Sequence, residues 1–229
     1  MYEERPARLD GAVVWSNSPT GQGFRPVLPD GCMDLIWADG RLLVAGPDTR
    51  AYVPEGPAAR YAGVRFAPGD APTVLGVEAS ALRDLRVDLG DLWGARTARR
   101  LADGVTGAPD RGTALETLVL RRASDAPAPD PLLRAVVARL RAGASVGVAA
   151  DTVGLGARQL HRRSLVAFGY GPKTLARILR LRRALDLAAA GMPYAEAALR
   201  AGCADQAHLA REMRALTGTT LTAYLAAVP

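Results

Sequence analysis

The chain has 229 residues, a formal net charge of +6, two cysteines and two histidines. That length allows one or two domains, each able to bury its own core. No apolar run reaches 18 residues and the first ten residues, MYEERPARLD, lack a signal-peptide apolar core. A spanning helix is thereby excluded and a cytoplasmic protein expected. Cys32 and Cys203 sit in opposite halves without ligand-type spacing, so no disulfide framework, metal or other cofactor is expected.

Charge is unevenly spread. Residues 1–130 hold 15 Arg and 18 Asp plus Glu, a balance of −3, whereas residues 131–229 hold 14 Lys plus Arg and 5 Asp plus Glu, a balance of +9. A basic half beside a slightly acidic one fits a nucleic-acid domain attached to a regulatory domain. Lys173 is the only lysine, so arginine usage partly reflects codon bias and only the distribution carries weight.

From Ala12 to Phe66 the pattern is short strands separated by turn formers. Ala12–Ser16, Phe24–Leu28, Met33–Trp37, Arg41–Ala45 and Tyr61–Phe66 are rich in Val, Leu, Ile and aromatics. Asp39-Gly40 between two apolar runs predicts a tight hairpin. An antiparallel sheet or small open barrel follows. From Val77 to Leu101, and again over Thr113–Arg122, apolar residues recur at helical spacing. The Pro-rich run Ser124–Pro131 is the best boundary, dividing the chain into an α+β domain at 1–125 and an all-α domain at 126–229.

Asp130 and Pro131 read as the cap and first position of a helix whose apolar face is Leu132, Leu133, Val136, Val137 and Leu140. A supersecondary unit then appears twice. AADTVG at 149–154 matches AALRAG at 197–202, and ARQLHRRSLVAFG, ending at Gly169, matches QAHLAREMRALTG, ending at Gly218. The offset is 48 before the turn and 49 after it, so the second turn holds one extra residue. Pro172 opens a joining helix that reaches about Ala190, with Arg177, Arg180, Arg182 and Arg183 available on its outside. Helix, glycine turn, helix, given twice and joined by a helix, is the plan of a double helix-turn-helix DNA reader.

The last hundred residues resemble the DNA-binding domain of the AraC/XylS family of bacterial transcription regulators. The stretch Ala201–Gly218 carries the likeness, being similar to the family's run of glycine turn, Ser-Asp-Gln, aromatic-Ser-Arg and terminal Thr-Gly. Leu28-Pro-Asp-Gly-Cys-Met-Asp-Leu-Ile-Trp and Val44-Ala-Gly-Pro-Asp-Thr-Arg resemble an uncharacterised domain found ahead of such readers. Departures are Gly156 for an N-cap Ser, Ser164 for a core Phe, Cys203 for the turn aromatic and Leu225 for the terminal Arg.

In the first unit the inward-facing Leu160 leaves Arg158, His161 and Arg162 on the outer face. In the second, inward-facing Leu209 and Met213 leave Gln206, His208 and Arg211. The resemblance puts groove-contacting positions on these same residues, with Arg suited to guanine and Gln to adenine. Lys173, beside Pro172, is placed for a phosphate. Trp15, Asp34, Trp37 and Arg65 are candidates for a small-molecule pocket.

Both histidines fall on candidate recognition helices, which leaves residues 1–130 without an imidazole base and argues against an enzyme. The expected protein is a sequence-specific regulator of transcription that binds the major groove of double-stranded DNA. The resemblance implies control by a small-molecule effector, by homodimerisation, or both, and contact with RNA polymerase if the protein activates. Two other classes fit the same residues: a DNA-repair or redox-responsive protein using Cys32, and a non-specific DNA binder.

Overall fold

The computed structural model describes residues 1–18, 26–54 and 60–226. Six strands, β1 Tyr2–Pro6, β2 Val13–Asn17, β3 Asp34–Ala38, β4 Arg41–Ala45, β5 Tyr61–Arg65 and β6 Arg86–Asp88, form one open antiparallel sheet in the order β1-β2-β5-β3-β4-β6. Of the expected strand Phe24–Leu28, Phe24 and Arg25 lie outside the described residues, and Val27 makes a single bridge to Tyr52. Asp39 and Gly40 take φ of 45° and 83°, the left-handed pair a two-residue hairpin turn requires, and they join β3 to β4. β1 and β6 carry no strand signal: every residue of β1 is exposed and β6 has only three residues.

Burial alternates along β3, with Leu35 and Trp37 inward. Against that face pack α1 Ala71–Leu75, α2 Leu89–Trp93, α3 Ala95–Thr106 and α4 Arg111–Ser124. Ser80–Leu85, expected to be helical, holds only the end of a short 3-10 turn, Ala79–Leu82. The Asp110 carboxylate caps α4 by accepting from Thr113 N.

The remaining elements are α5 Pro131–Arg141, α6 Val146–Thr152, α7 Ala157–Phe168, α8 Pro172–Ala189, α9 Tyr194–Ala201, α10 Gln206–Thr217 and α11 Leu221–Ala226. Asp130 caps α5 through Leu132 N, with Pro131 in the first turn, as the sequence requires. Leu175, Ile178, Leu181 and Leu185 of α8 are buried, and α8 touches α5, α6, α7, α9 and α10.

The sheet and the helical bundle are packed together. Leu28, from the loop before β3, is a member of the helical core and Ala51 packs against it. Ala51 N–H donates to Leu216 O at 2.7 Å, tying the segment after β4 to α10. Arg134 of α5 bonds the buried Asp70 carboxylate at 2.6 Å and Asp10 at 2.7 Å. At Gly169 a Cβ would stand 2.6 Å from Pro47 and 3.0 Å from Ala79 O, and its φ is +77°, so this contact accepts only glycine.

Because Leu28 fills a niche in the helical core, Leu28→Ala should destabilise the protein by about 2–4 kcal/mol. Its effect should appear in the unfolding of the C-terminal helices, read by chemical denaturation followed by hydrogen exchange. An unchanged exchange pattern in α7 and α8 would refute the shared core.

Candidate nucleic-acid interface

Each helix-turn-helix unit is built from small residues that let two helices meet. In the first, Ala149 and Ala150 of α6 are buried, Ser145 caps the helix by accepting from Val148 N at 3.2 Å, and Gly154 turns the chain at φ +65°. In the second, Ala197, Ala198 and Ala201 of α9 are buried and Gly202 turns the chain at φ +94°. One residue, Leu155, separates Gly154 from the cap Gly156, whereas Cys203 and Ala204 separate Gly202 from the cap Asp205. The extra residue lies in the second turn.

The two following helices differ at their starts. Asp205 accepts from His208 N at 2.6 Å and so satisfies a free donor of α10. Gly156 offers no side chain, and the first turn of α7 is steadied only by Gly156 N–H donating to Gln159 Oε1 at 3.3 Å. Inside α7, Ser164 is fully buried and its hydroxyl has no partner among the described residues.

Arg158, His161 and Arg162 on α7, and Gln206 and Arg211 on α10, are exposed, as is Lys173 near the start of α8. The imidazole of His161 lies against Gly171, where a Cβ would meet it at 2.8 Å. His208 is placed differently. Its Nδ1 accepts from Ala204 N–H at 3.2 Å while Nε2 sits 3.4 Å from Glu212 Oε1, so the ring is turned toward its own unit.

Glu212, buried on α10, gathers that ring together with two arginines of α8. Arg180 donates to both carboxylate oxygens and Arg177 to Oε1 at 3.3 Å. Arg177 and Arg180 are thus spent holding α8 to α10, not free on the outside of the joining helix as the sequence suggested. Burial opposes the charge on Glu212, but the bonds and charge of Arg180, with the charge of Arg177, hold its carboxyl below the ordinary range.

Cys203, His208 and Glu212 bring potential metal ligands within 4.8 Å of one another, a constellation that cysteine spacing did not reveal. The hydrogen bonds decide how it works. An imidazole whose Nδ1 accepts from Ala204 N–H carries its proton on Nε2 and donates toward Glu212, so no lone pair faces the cluster. With Arg180 on the carboxylate as well, the group is an ion-pair network.

The candidate small-molecule residues divide between the two faces of the sheet. Trp15, Asp34 and Arg65 come together: Trp15 Nε1 donates to Asp34 Oδ1 at 2.6 Å, and Arg65 Nε lies 3.2 Å from Asp30 and 3.5 Å from Asp34. The Trp15 ring covers Gly63, where a Cβ would collide with it at 2.4 Å. Trp37 points to the opposite face, its Nε1 donating to Thr106 and its ring under the Arg111 guanidinium at 4.4 Å. Burial, ahead of the nearby Asp30 and against the Arg65 charge, pushes Asp34 up to about 6. Burial likewise pushes the Cys32 thiol well above its ordinary value, which leaves little thiolate for redox chemistry.

Two helix-turn-helix units sharing one joining helix, with polar side chains outward on each second helix, define a protein that binds DNA. The comparisons agree: residues 149–227 match the family model described as "Helix-turn-helix domain", and residues 12–88 match "Domain of unknown function (DUF6597)". The chain therefore carries an AraC-type helix-turn-helix domain behind an N-terminal domain of unknown function, and it is a DNA-binding regulator of transcription.

The fold as a whole is similar to that of apo ToxT from Vibrio cholerae carrying a lysine-to-alanine substitution, with a TM-score of 0.52 at 8% identity over 98% of this chain and 100% of that one. Another ToxT structure from Vibrio cholerae, solved at 1.65 Å, gives a TM-score of 0.48 at 9% identity over 98% and 97%. No curated protein matches the chain. Among the described residues, no helix is long and apolar enough to cross a membrane.

Two expected outcomes follow from the buried polar groups. Ser164→Ala should raise stability by about 1 kcal/mol, because it removes an unpaired buried hydroxyl and favours the helix; a lowered melting temperature would contradict this. Asp34 has a folded pKa above its unfolded value of 3.8, so the stability it contributes is full below that value and is lost as pH rises through about 6. Denaturation midpoints measured across that window should therefore carry a downward component with rising pH that Asp34→Asn removes.

Proposed function

We propose that the protein recognises a specific operator by placing α7 and α10 in successive major-groove segments of one duplex. On α7 the base-reading positions are Arg158, His161 and Arg162; on α10 they are Gln206 and Arg211, while Lys173 takes a phosphate. His208, held by Ala204 and Glu212, acts by fixing the start of α10. The observation that carries this reading is the pair of exposed polar helix faces on the strongly basic half of the chain, set on a single buried core.

In this reading residues 1–125 are the controlling domain and 126–229 the reader, working in the cytoplasm by binding and not by catalysis. The contacts of Ala51, Arg83 and Arg134 across the boundary supply a physical path, because each joins the N-terminal part to an element of the reader. A small-molecule effector, a second copy of the chain, or RNA polymerase at an activated promoter acts on the reader through that path. The better-capped α10 grips more firmly than α7, since a helix start without a side-chain cap frays more readily.

The test begins by selecting bound fragments from a random DNA pool and then measures variants on single-base-pair substitutions of the site. Arg162→Ala and Arg211→Ala should each cost about 1–3 kcal/mol and relax preference only at their own base pairs. Arg211→Ala should be the more damaging. Lys173→Ala should weaken all sequences evenly and reduce the salt slope by about one. Uniform weakening by Arg211→Ala, with no position losing discrimination, would show that this arginine only holds the backbone.

A further inference from the structure

The two helix-turn-helix units differ at a matched pair of positions. At the offset of 49 that aligns Leu160 with Leu209, His161 matches Ala210 and Gly171 matches Thr220. Thr220 precedes α11, and its hydroxyl accepts from Ala223 N at 3.1 Å, so a side chain caps the helix that follows α10. Gly171 holds the same place before α8 and offers no side-chain cap. Backbone conformation does not demand this glycine. Its φ of −70° and ψ of 161° are open to any residue, and the following Pro172 favours them. Space demands it instead: a Cβ at Gly171 would stand 2.8 Å from Cε1 and 2.9 Å from Nδ1 of His161. The second unit combines a capping threonine with an alanine, and the first combines a glycine with an imidazole.

We propose that Gly171 is a positioning residue for operator specificity: having no side chain, it seats the His161 imidazole against the start of α8 and so sets which base pair that ring meets. The proposal rests on α7 reading the major groove, as set out above. His161 is exposed, and among the described residues neither of its ring nitrogens has a hydrogen bond or ion pair. Packing therefore places the ring while its polar atoms stay available, and an imidazole N–H suits the N7 acceptor of a purine. His208 is the reverse, with both nitrogens engaged inside its own unit. Histidine is short beside arginine, so its reach along the groove depends on the direction in which its ring is held. Without a side-chain cap, α8 still begins on Pro172, with Gly171 O accepting from Thr174 N at 3.0 Å.

Gly171→Ala tests the seat directly. Alanine accepts the same φ and ψ, and among the described residues only the imidazole lies within 4 Å of the added Cβ. The chain has two histidines, so its NMR spectrum holds two sets of imidazole signals, and the set missing from His161→Ala belongs to His161. Gly171→Ala should shift the His161 signals and leave those of His208 in place. On the operator selected from the random pool, it should lower discrimination by about fivefold or more at the base pair where His161→Ala lowers it. The base pairs read by α10 should keep theirs. With His161→Ala already made, adding Gly171→Ala should change no base preference, and this pairing also rescues the test should the single variant fold poorly. Adding Gly171→Thr to His161→Ala should raise the melting temperature, because the hydroxyl can then cap α8 as Thr220 caps α11.

Unmoved His161 signals in Gly171→Ala would overturn the seat, as would a lowered melting temperature when Gly171→Thr is added to His161→Ala. Even weakening on all sequences, or the same loss of preference with His161 already replaced, would show that Gly171 serves the backbone and not the ring. Failure of the wild-type chain to select any operator would overturn the reading of α7 and the role of the seat with it. The ring signals of the free protein would still report on the seat itself, so the two failures are distinct.

Discussion

The arrangement of the reader depends on one buried helix. Leu175, Ile178, Leu181 and Leu185 of α8 are packed on by α5, α6 and α7 from one unit and by α9 and α10 from the other. A core shared in this way fixes the two recognition helices relative to each other through close packing, which resists small displacements far better than a flexible connection would. The Glu212 network adds direction to that packing. A carboxylate bonded by Arg180 and Arg177 of α8 and approached by His208 of α10 accepts only one rotation of α10 against α8. Leaving Glu212 buried without those partners would be costly, so the polar group favours a single arrangement where apolar side chains would tolerate several.

The reader is also held from outside. Leu28 enters its core, Gly169 meets Pro47 and Ala79 at backbone distance, and Arg134 reaches two carboxylates of the N-terminal part. With the bond from Ala51 N–H to Leu216 O, these contacts fall on α5, the end of α7 and α10, so the N-terminal part touches elements of both units. A change in how it sits would therefore bear on elements of both units. The connection at residues 125–130 is short, and the two parts also meet through the packing beside it.

Much of this was legible in the sequence. The duplication of glycine turn and apolar spacing around Gly154 and Gly202 revealed both units, and Asp39-Gly40 revealed the central hairpin, because φ constraints and apolar periodicity are local properties. β1 was hidden because an exposed edge strand lacks the inward-facing alternation that marks a strand. β6 was hidden by its length of three residues. The fate of the charged side chains was not legible either. Arg177, Arg180 and Arg211 look alike on a helical projection, and only the position of Glu212 across the α8–α10 contact separates the two that are tied from the one that has no ion pair among the described residues. Trp37 was grouped with Trp15 because both are strand tryptophans, but the period of two along β3 sends it to the other face from Asp34.

One contact between the two parts has an unusual relation to sequence change. Ala51 N–H to Leu216 O joins main chain to main chain, so substitution of either side chain leaves donor and acceptor in place. A side-chain contact such as Arg134 with Asp70 depends on the residue at both positions and is lost when either changes. The Ala51 bond can be removed at that position only by proline, which has no N–H to give. The side chains on both sides of this boundary can therefore change while the main-chain joint between the segment after β4 and the second helix-turn-helix unit persists.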